Sequence, residues 1–253
     1  MPNDRPSGAM TPVRGTLRVF QDAEALAQGA AAWLTDRAVA AAGRFVVALS
    51  GGSTPKRLYT LLAGAPYAAR FPWARTQFVF GDERFVPPGD PASNARMAHE
   101  ALLAHVPVPP GNIHPVPTVG VSAEEAARHY EAVLQRLYGA PTLDPVRPLL
   151  DVALLGLGDD GHTASLLPGE PVLEERRHWT GVVAHGRPET RITLTYPALE
   201  SSAAVAFLVQ GEGKRAMLDR VLSGDATVPA GRLRPRGELF WFVDRAAAGR
   251  WAE

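Results

Sequence analysis

Residues 150–165 read LDVALLGLGDDGHTAS. The first six form a mostly apolar run of strand length, and a glycine-dense turn follows. Open α/β sheets place their chemistry at the carboxyl ends of parallel strands, where such a turn lies. Asp160 precedes His162 by two residues, so a candidate general base comes with a carboxylate able to orient it. The alternative is a tight turn with a solvated histidine. Residues 163–165 suit the start of a helix.

Strands and helices alternate along the rest of the chain with no long linker. Continuous apolar runs predict buried strands, of which residues 45–49 and 203–209 are clear examples. Helix starts are marked by capping residues, such as Ser122 with Glu125 three positions later. This alternation predicts one α/β domain over residues 16–253, with a mainly parallel sheet flanked by helices.

The composition of the chain excludes several classes of protein. Its 253 residues include 26 basic and 26 acidic side chains, so no net charge attracts nucleic acid or an anionic membrane. The absence of cysteine removes disulfides and thiolate chemistry. No stretch approaches the roughly 20 apolar residues that span a bilayer. Residues 1–15 predict a flexible tail rather than a signal peptide. We therefore expect a cytoplasmic protein with no membrane or nucleic-acid partner.

A second glycine-dense turn follows the strand predicted at residues 45–49. Adjacent glycines let backbone N–H groups approach a ligand, and the next helix N-terminus favours an anion. Pro55 suits the first position of that helix. The spacing matches neither a nucleoside-triphosphate loop nor a dinucleotide fingerprint, which favours a single phosphate or a sugar over larger ligands. A purely structural turn is the alternative. The residues predicted to bind are Ser50, Gly51, Gly52, Ser53 and Thr54.

Charged residues accompany other predicted strands. Residues 82–84 leave a strand end as three consecutive charges, which are costly to bury unless paired or used. The guanidinium of Arg84 can hold phosphate oxygens in a bidentate manner, and Arg191 begins another strand. Lys214 lies at a predicted helix start, where a bound anion would offset its unfavourable place in the helix dipole. A flexible surface lysine is the alternative. The carboxyl ends of parallel strands meet at one edge, so we expect these cations to share a cavity with His162.

His162 is expected to activate water rather than a protein nucleophile. The chain has no cysteine, and no Gly-x-Ser-x-Gly elbow is present. The seven histidines show no paired ligand spacing, so no metal site is expected. The turn of residues 50–54, which we call the anion cradle, occurs together with two or three cations and an Asp–His pair. This combination indicates acid–base chemistry on a small phosphorylated substrate.

The motifs resemble, in order, those of the glucosamine-6-phosphate isomerase/6-phosphogluconolactonase family. The resemblance covers roughly residues 16–250 and implies a modified Rossmann-like fold of the isomerase/lactonase type. It implies a hydrolase of the oxidative pentose phosphate pathway that opens 6-phospho-D-glucono-1,5-lactone to 6-phospho-D-gluconate without metal or cofactor. The segments that carry it are 50–55, 81–87, 93–94, 156–168, 191–195 and 211–214.

The same resemblance assigns roles to individual residues. His162 corresponds to the catalytic base and Asp160 to its neighbour. The cations implied to hold the phosphate or carboxyl end are Arg84, Arg191 and Lys214. Asp82 and Asn94 complete the predicted substrate-binding set.

Two other functions are consistent with parts of the pattern. The aminosugar-phosphate deaminase branch of the family has a glutamate five residues after the histidine, where this chain has Leu167. It also has a tyrosine where this chain has Arg84. A non-catalytic sugar-phosphate sensor would keep the anion cradle but could lack His162. The expected assembly is a monomer or a weak homo-oligomer.

Overall fold

A computed structural model describes residues 14–252, which fold around a six-stranded parallel sheet. The strands of both sheets, in chain order, are β1 (Thr16–Phe20), β2 (Phe45–Leu49), β3 (Thr76–Phe80), β4 (Asp82–Arg84), β5 (Leu150–Leu155), β6 (Thr180–Val183), β7 (Arg191–Leu194), β8 (Ser202–Val209) and β9 (Glu238–Asp244). The main sheet has the order β1-β9-β8-β5-β2-β3, and every neighbouring pair runs parallel. The predicted fold class, mainly parallel with flanking helices, is confirmed.

A second sheet, antiparallel and three-stranded, stands beside the first in the order β4-β7-β6. The expectation that residues 82–84 form a loop is wrong, because they form β4. Gly81 joins the two sheets: its N–H donates to Leu49 at 2.8 Å, and its carbonyl accepts from Leu194 at 2.8 Å. The chain therefore passes from the parallel sheet directly into a strand of the smaller one.

Helices cover both faces of the parallel sheet. They are α1 (Ala23–Ala40), α2 (Ser53–Leu62), α3 (Tyr67–Arg70), α4 (Asn94–Ala98), α5 (Ala123–Tyr138), α6 (Tyr196–Glu200), α7 (Arg215–Leu222), α8 (Pro229–Arg232) and α9 (Arg245–Ala248). A π-helical turn at His99–Leu103 continues α4. The Ser122–Glu125 capping box at the start of α5 forms as predicted.

Two predicted helix starts are wrong in detail. Helix α2 begins at Ser53 after Gly52, whose φ of 106° ends the turn, so Pro55 is its third residue. No helix follows His162, because Ala164 has a φ of 48° and breaks the regular backbone. Lys214 ends a short 3-10 turn and is the N-cap residue of α7, so it lies at a helix start as predicted.

The hydrophobic core has two layers, one on each face of the parallel sheet. Successive side chains of a strand point to opposite faces, so Val47 packs with α1 and α2 while Val46 packs with α5. The carboxyl ends of the parallel strands lie together along one edge of the sheet, and the turns that follow these strands are therefore close to one another.

The predicted tail at residues 1–15 falls largely on residues 1–13, which lie outside the described residues, so the proposed domain boundary stays a prediction. The carbonyl of Arg14 accepts a hydrogen bond from Nε1 of Trp241 at 2.9 Å. Within residues 14–252, no helix is long and apolar enough to cross a membrane.

Candidate active site

The carboxyl ends of the parallel strands open into a cavity of about 280 Å³. The turns after β2, β5 and β8 line it together with β4 and β7. Every residue predicted to bind substrate lines this one cavity, as does the predicted base, and Asp160 contacts that base from outside the lining. The predicted residues on its wall are Ser50, Gly51, Gly52, Ser53, Thr54, Asp82, Arg84, Asn94, His162, Arg191 and Lys214.

The imidazole of His162 is held by the carboxylate of Asp160. Its Nδ1 lies 2.5 Å from Oδ1, and the backbone N–H of His162 donates to the same oxygen at 3.2 Å. The other carboxylate oxygen, Oδ2, accepts from Nη2 of Arg187 at 2.7 Å. Asp160 thus bridges an imidazole and a guanidinium, one on each oxygen.

The protonation of this group follows from its contacts. Partial burial raises the pKa of Asp160, but hydrogen bonds from Arg187 and His162 outweigh it and hold the pKa well below its usual range. The carboxylate is therefore ionised, and the proton between the two groups belongs to Nδ1 of His162. Nε2 then carries the free lone pair, which is what a general base needs.

Gly158 provides the space in which the ring of His162 lies. A Cβ at Gly158 would come within 2.0 Å of Nδ1 and 2.2 Å of Cε1 of the imidazole. It would also lie 2.8 Å from Oδ1 of Asp160. Real Cβ atoms do not approach other atoms so closely, so this glycine is required by packing rather than by backbone conformation.

Tyr59 fixes the turn that follows β2. Its hydroxyl donates to the carbonyl of Ser50 and accepts from the N–H of the same residue, both at 2.9 Å. Complete burial raises the pKa of this phenol far above its ordinary value, so it keeps the proton that it donates. Across the turn, a Cβ at Gly51 would lie 2.0 Å from Oδ1 of Asn94, so the turn and that amide are in close contact.

The Glu83 carboxylate anchors α4 to β4. It accepts hydrogen bonds from the N–H groups of Asn94 at 2.7 Å and Ala95 at 2.8 Å, and from the hydroxyl of Ser93 at 3.1 Å. Burial raises the pKa of Glu83, and these hydrogen bonds only partly offset that effect. Glu83, singled out as a costly charge, is therefore a structural group that places Asn94.

Asp82 also forms hydrogen bonds within the protein. Its carboxylate accepts from the hydroxyl of Ser165 at 2.6 Å and from Nδ2 of Asn94 at 3.2 Å. A guanidinium nitrogen of Arg191 lies 3.9 Å away. Asp82 therefore ties β4 to the turn after β5 and faces a cation on β7.

Buried donors without partners point to a ligand in this cavity. Among the described residues, the Nε atoms of Arg84 and Arg191 and the hydroxyl of Ser50 are buried with no hydrogen-bond partner. Burial lowers the pKa of Arg191, with Asp82 opposing the effect. The three residues that carry these atoms all line the cavity, so it has donor-bearing side chains suited to an anionic or hydroxylated ligand.

Lys214 faces the cavity from the turn after β8. Its ammonium pairs with Oδ1 of Asp159 at 2.6 Å, and the Asp159 side chain is 82% exposed. The lysine is thus already paired with a carboxylate that borders the catalytic turn. No group of three His, Asp or Glu side chains within residues 14–252 is arranged to hold a metal ion.

Sequence reasoning missed three residues of this site. Arg187 lies in the loop between β6 and β7, which carries no recognisable motif. Tyr59 is indistinguishable in sequence from an ordinary core aromatic of α2. Gln210, which lines the cavity, directly follows β8, and its place at a strand end was the available signal.

Comparison with known proteins agrees with this geometry. Residues 21–241 match the family described as glucosamine-6-phosphate isomerases/6-phosphogluconolactonase. The chain belongs to this family. A 6-phosphogluconolactonase from Nostoc is 43% identical over 216 residues, covering 84% of this chain and 87% of the relative. A protein of the same name from Streptomyces coelicolor is 37% identical over 246 residues, covering 92% and 94%.

A solved structure agrees as well. The 6-phosphogluconolactonase from Trypanosoma cruzi superposes with a TM-score of 0.84 at 26% identity, covering 96% of this chain and 99% of its own. The family resemblance predicted from the motifs, and with it an enzyme of the 6-phosphogluconolactonase type, is confirmed. The roles of individual residues stay predictions.

Proposed function

We propose that the protein hydrolyses 6-phospho-D-glucono-1,5-lactone to 6-phospho-D-gluconate, with His162 as the general base. The supporting relatives carry the name 6-phosphogluconolactonase and align over most of their length. A cavity of about 280 Å³ suits a small sugar phosphate, since it lies near the lower end of the size range of ligand pockets. The observation that carries the proposal is the Asp160–His162 pair beside a cavity with unpaired buried donors.

The base acts through Nε2. As water attacks the lactone carbonyl carbon, Nε2 of His162 removes its proton, and a tetrahedral oxyanion forms. Backbone N–H groups of a glycine turn stabilise the oxyanion. The bond between the carbonyl carbon and the ring oxygen then breaks. The imidazolium returns the proton to that departing oxygen, which leaves a free hydroxyl and a carboxylic acid that ionises at neutral pH.

Asp160 holds the tautomer throughout this cycle. Its ionised carboxylate keeps Nδ1 protonated and stabilises the positive charge that the ring acquires. General acid–base catalysis contributes roughly 10²–10⁴-fold, so binding of the phosphate must supply the remaining acceleration through positioning.

The phosphate and hydroxyl groups of the substrate bind to the unpaired donors. Arg84 and Arg191 each offer a buried Nε, and Lys214 adds an ammonium after release from Asp159. The turn of residues 50–54 offers backbone and hydroxyl donors at the start of α2. Asp82 and Asn94 support this wall and contact sugar hydroxyls.

The alternative deaminase activity lacks a partner residue. The glutamate of that branch would occupy position 167, where Leu167 is 2% exposed and packs in the hydrophobic core. No carboxylate stands there to shuttle a proton between substrate carbons. The other alternative, a sensor without catalysis, would bind the ligand and show no turnover.

The test is an assay of lactone hydrolysis with freshly prepared substrate. The reaction is monitored by pH-stat titration, and the rate is corrected for spontaneous opening of the lactone. We expect kcat of His162→Ala to fall by at least about 100-fold while calorimetry shows that 6-phosphogluconate still binds. His129→Ala, an exposed histidine of α5, is the matched control. A kcat that stays within a few-fold would assign the base elsewhere. Ammonia release from glucosamine 6-phosphate would favour the deaminase, and binding by the wild type without turnover would favour the sensor.

The biological setting is part of the same proposal. The reaction belongs to the oxidative pentose phosphate pathway, and we place it in the cytoplasm with a monomer or weak homo-oligomer as the active form. Cell fractionation tests the location. Light scattering after gel filtration measures the mass of the particle and so tests the assembly.

A further inference from the structure

Arg187 reaches the catalytic turn from a different part of the fold. It lies in the loop between β6 and β7, and its Nη2 donates to Oδ2 of Asp160 at 2.7 Å. The same nitrogen lies 3.2 Å from Nδ1 of His162. Its Nη1 donates to the carbonyl of Gly186 at 2.6 Å, which fixes the guanidinium against its own loop.

We propose that Arg187 is a positioning residue that orients the Asp160–His162 pair and balances the charge of Asp160 before substrate is attacked. This inference rests on the proposed function, in which His162 is the base. Arg187 acts through Asp160 and through its charge, without touching the reacting atoms.

The first effect is orientation. His162 contacts only Oδ1 of Asp160, through its ring and its backbone N–H, so Arg187 is the group that restrains the second oxygen against rotation. With Oδ2 bound to Arg187, Oδ1 of Asp160 is directed at the protonated Nδ1 of His162. The free lone pair then stays on Nε2, the nitrogen that must meet water.

The second effect is charge. An unbalanced carboxylate beside a histidine favours the imidazolium, which cannot act as a base. The guanidinium of Arg187 balances Asp160, and it also stands 3.2 Å from the ring nitrogen, where a second positive charge would be repelled. Replacement of Arg187 by an uncharged residue removes both interactions.

The other carboxylates around His162 already have cationic partners. On the same turn, Asp159 is paired with Lys214 at 2.6 Å. Across the cavity, Asp82 lies 3.9 Å from Arg191, and Arg84 stands near them on β4. Asp160 is the carboxylate that contacts the ring, and Arg187 is the cation that contacts Asp160. The loss of Arg187 therefore leaves this carboxylate unbalanced.

The experiment is the pH profile of kcat/KM for lactone hydrolysis. Arg187→Gln can still donate a hydrogen bond to Asp160 but carries no charge, so its acid limb should move to higher pH by about one unit. Arg187→Lys keeps the charge, so its limb should stay near that of the wild type, with a lower plateau from the lost planar geometry. Arg177→Gln, an exposed arginine of a neighbouring loop, should leave both limb and plateau unchanged.

A purely structural role gives a different result. If Arg187→Gln lowers kcat/KM equally at every pH, or shifts only the melting temperature, the proposal is overturned. If the acid limb of the pH profile moves equally in Arg187→Gln and Arg187→Lys, the charge argument is overturned as well. Wild-type activity that survives His162→Ala would instead refute the base itself, so the two failures are distinguishable.

Discussion

The imidazole of His162 lies against the backbone of Gly158, so close that no Cβ fits between them. A methyl group there would stand 2.0 Å from Nδ1 and 2.8 Å from the carboxylate oxygen that holds it. The glycine therefore shapes the Asp160–His162 pair, although it carries no functional group.

Gly158→Ala should consequently displace the ring and separate it from Asp160. We expect kcat to fall by about 10²-fold, since a shift of one ångström at a reacting group has a cost of that order. The fold should persist, and circular dichroism with the lactonase assay checks both. Gly111→Ala is the control, because a Cβ there would meet nothing within 4 Å. Full activity in Gly158→Ala would mean that the base occupies another position.

Tyr59→Phe should weaken the turn that forms the anion cradle. The change leaves the buried N–H and carbonyl of Ser50 without their partner, so the free energy of unfolding should drop by about 1–3 kcal/mol. KM should rise more than kcat falls, because the cradle binds substrate and performs no chemistry. Urea denaturation and steady-state kinetics measure the two effects. Tyr67→Phe, whose hydroxyl makes one exposed 3.3 Å contact with Gln28, should cost under about 0.5 kcal/mol. Equal losses of unfolding free energy in Tyr59→Phe and Tyr67→Phe would contradict the role of Tyr59 in fixing this turn.

Much of the parallel sheet could be predicted because its strands are continuous apolar runs, as in residues 45–49. Strand β4 could not, because three adjacent charges oppose a strand pattern and only pairing with β7 makes them extended. Glu83 is buried there since α4 supplies three donors to its carboxylate, a contact that local sequence does not encode.

The site was predictable where a polar turn follows a strand. The prediction failed where a contact arises from packing between segments that are distant in sequence. Residues 50–54 and Lys214 follow strands, and they line the cavity as expected. Arg187 comes from a hairpin loop whose docking onto the catalytic turn depends on the second sheet. Because that sheet was not predicted, its contribution to the site was invisible in the sequence.

Asp159→Asn should improve substrate binding. Lys214 is paired with Asp159 at 2.6 Å, and a phosphate that binds Lys214 must compete with that carboxylate. Exposed ion pairs contribute about 0.2–1 kcal/mol, so KM should drop by a factor between about 1.4 and 5 with kcat nearly unchanged. The difference in KM should be largest at low ionic strength, and steady-state kinetics under that condition measures it. A rise in KM would show instead that Asp159 holds Lys214 in its productive place.

Asp160→Asn should change the acid stability of the protein in a defined direction. Burial raises the pKa of Asp160, and the hydrogen bonds from Arg187 and His162 lower it by more, so its pKa in the folded state lies below the ordinary value of about 3.9. A carboxylate with a depressed pKa stabilises the fold above its unfolded pKa, and that contribution is lost as the pH falls through the folded value. The wild type should therefore exceed Asp160→Asn in free energy of unfolding at neutral pH, well above the pKa of an aspartate in the unfolded chain. The margin should shrink progressively below about pH 4, where protons bind first to the unfolded chain. Urea titrations at several pH values measure this margin, and a margin that widens on acidification would show that burial dominates the Asp160 carboxylate.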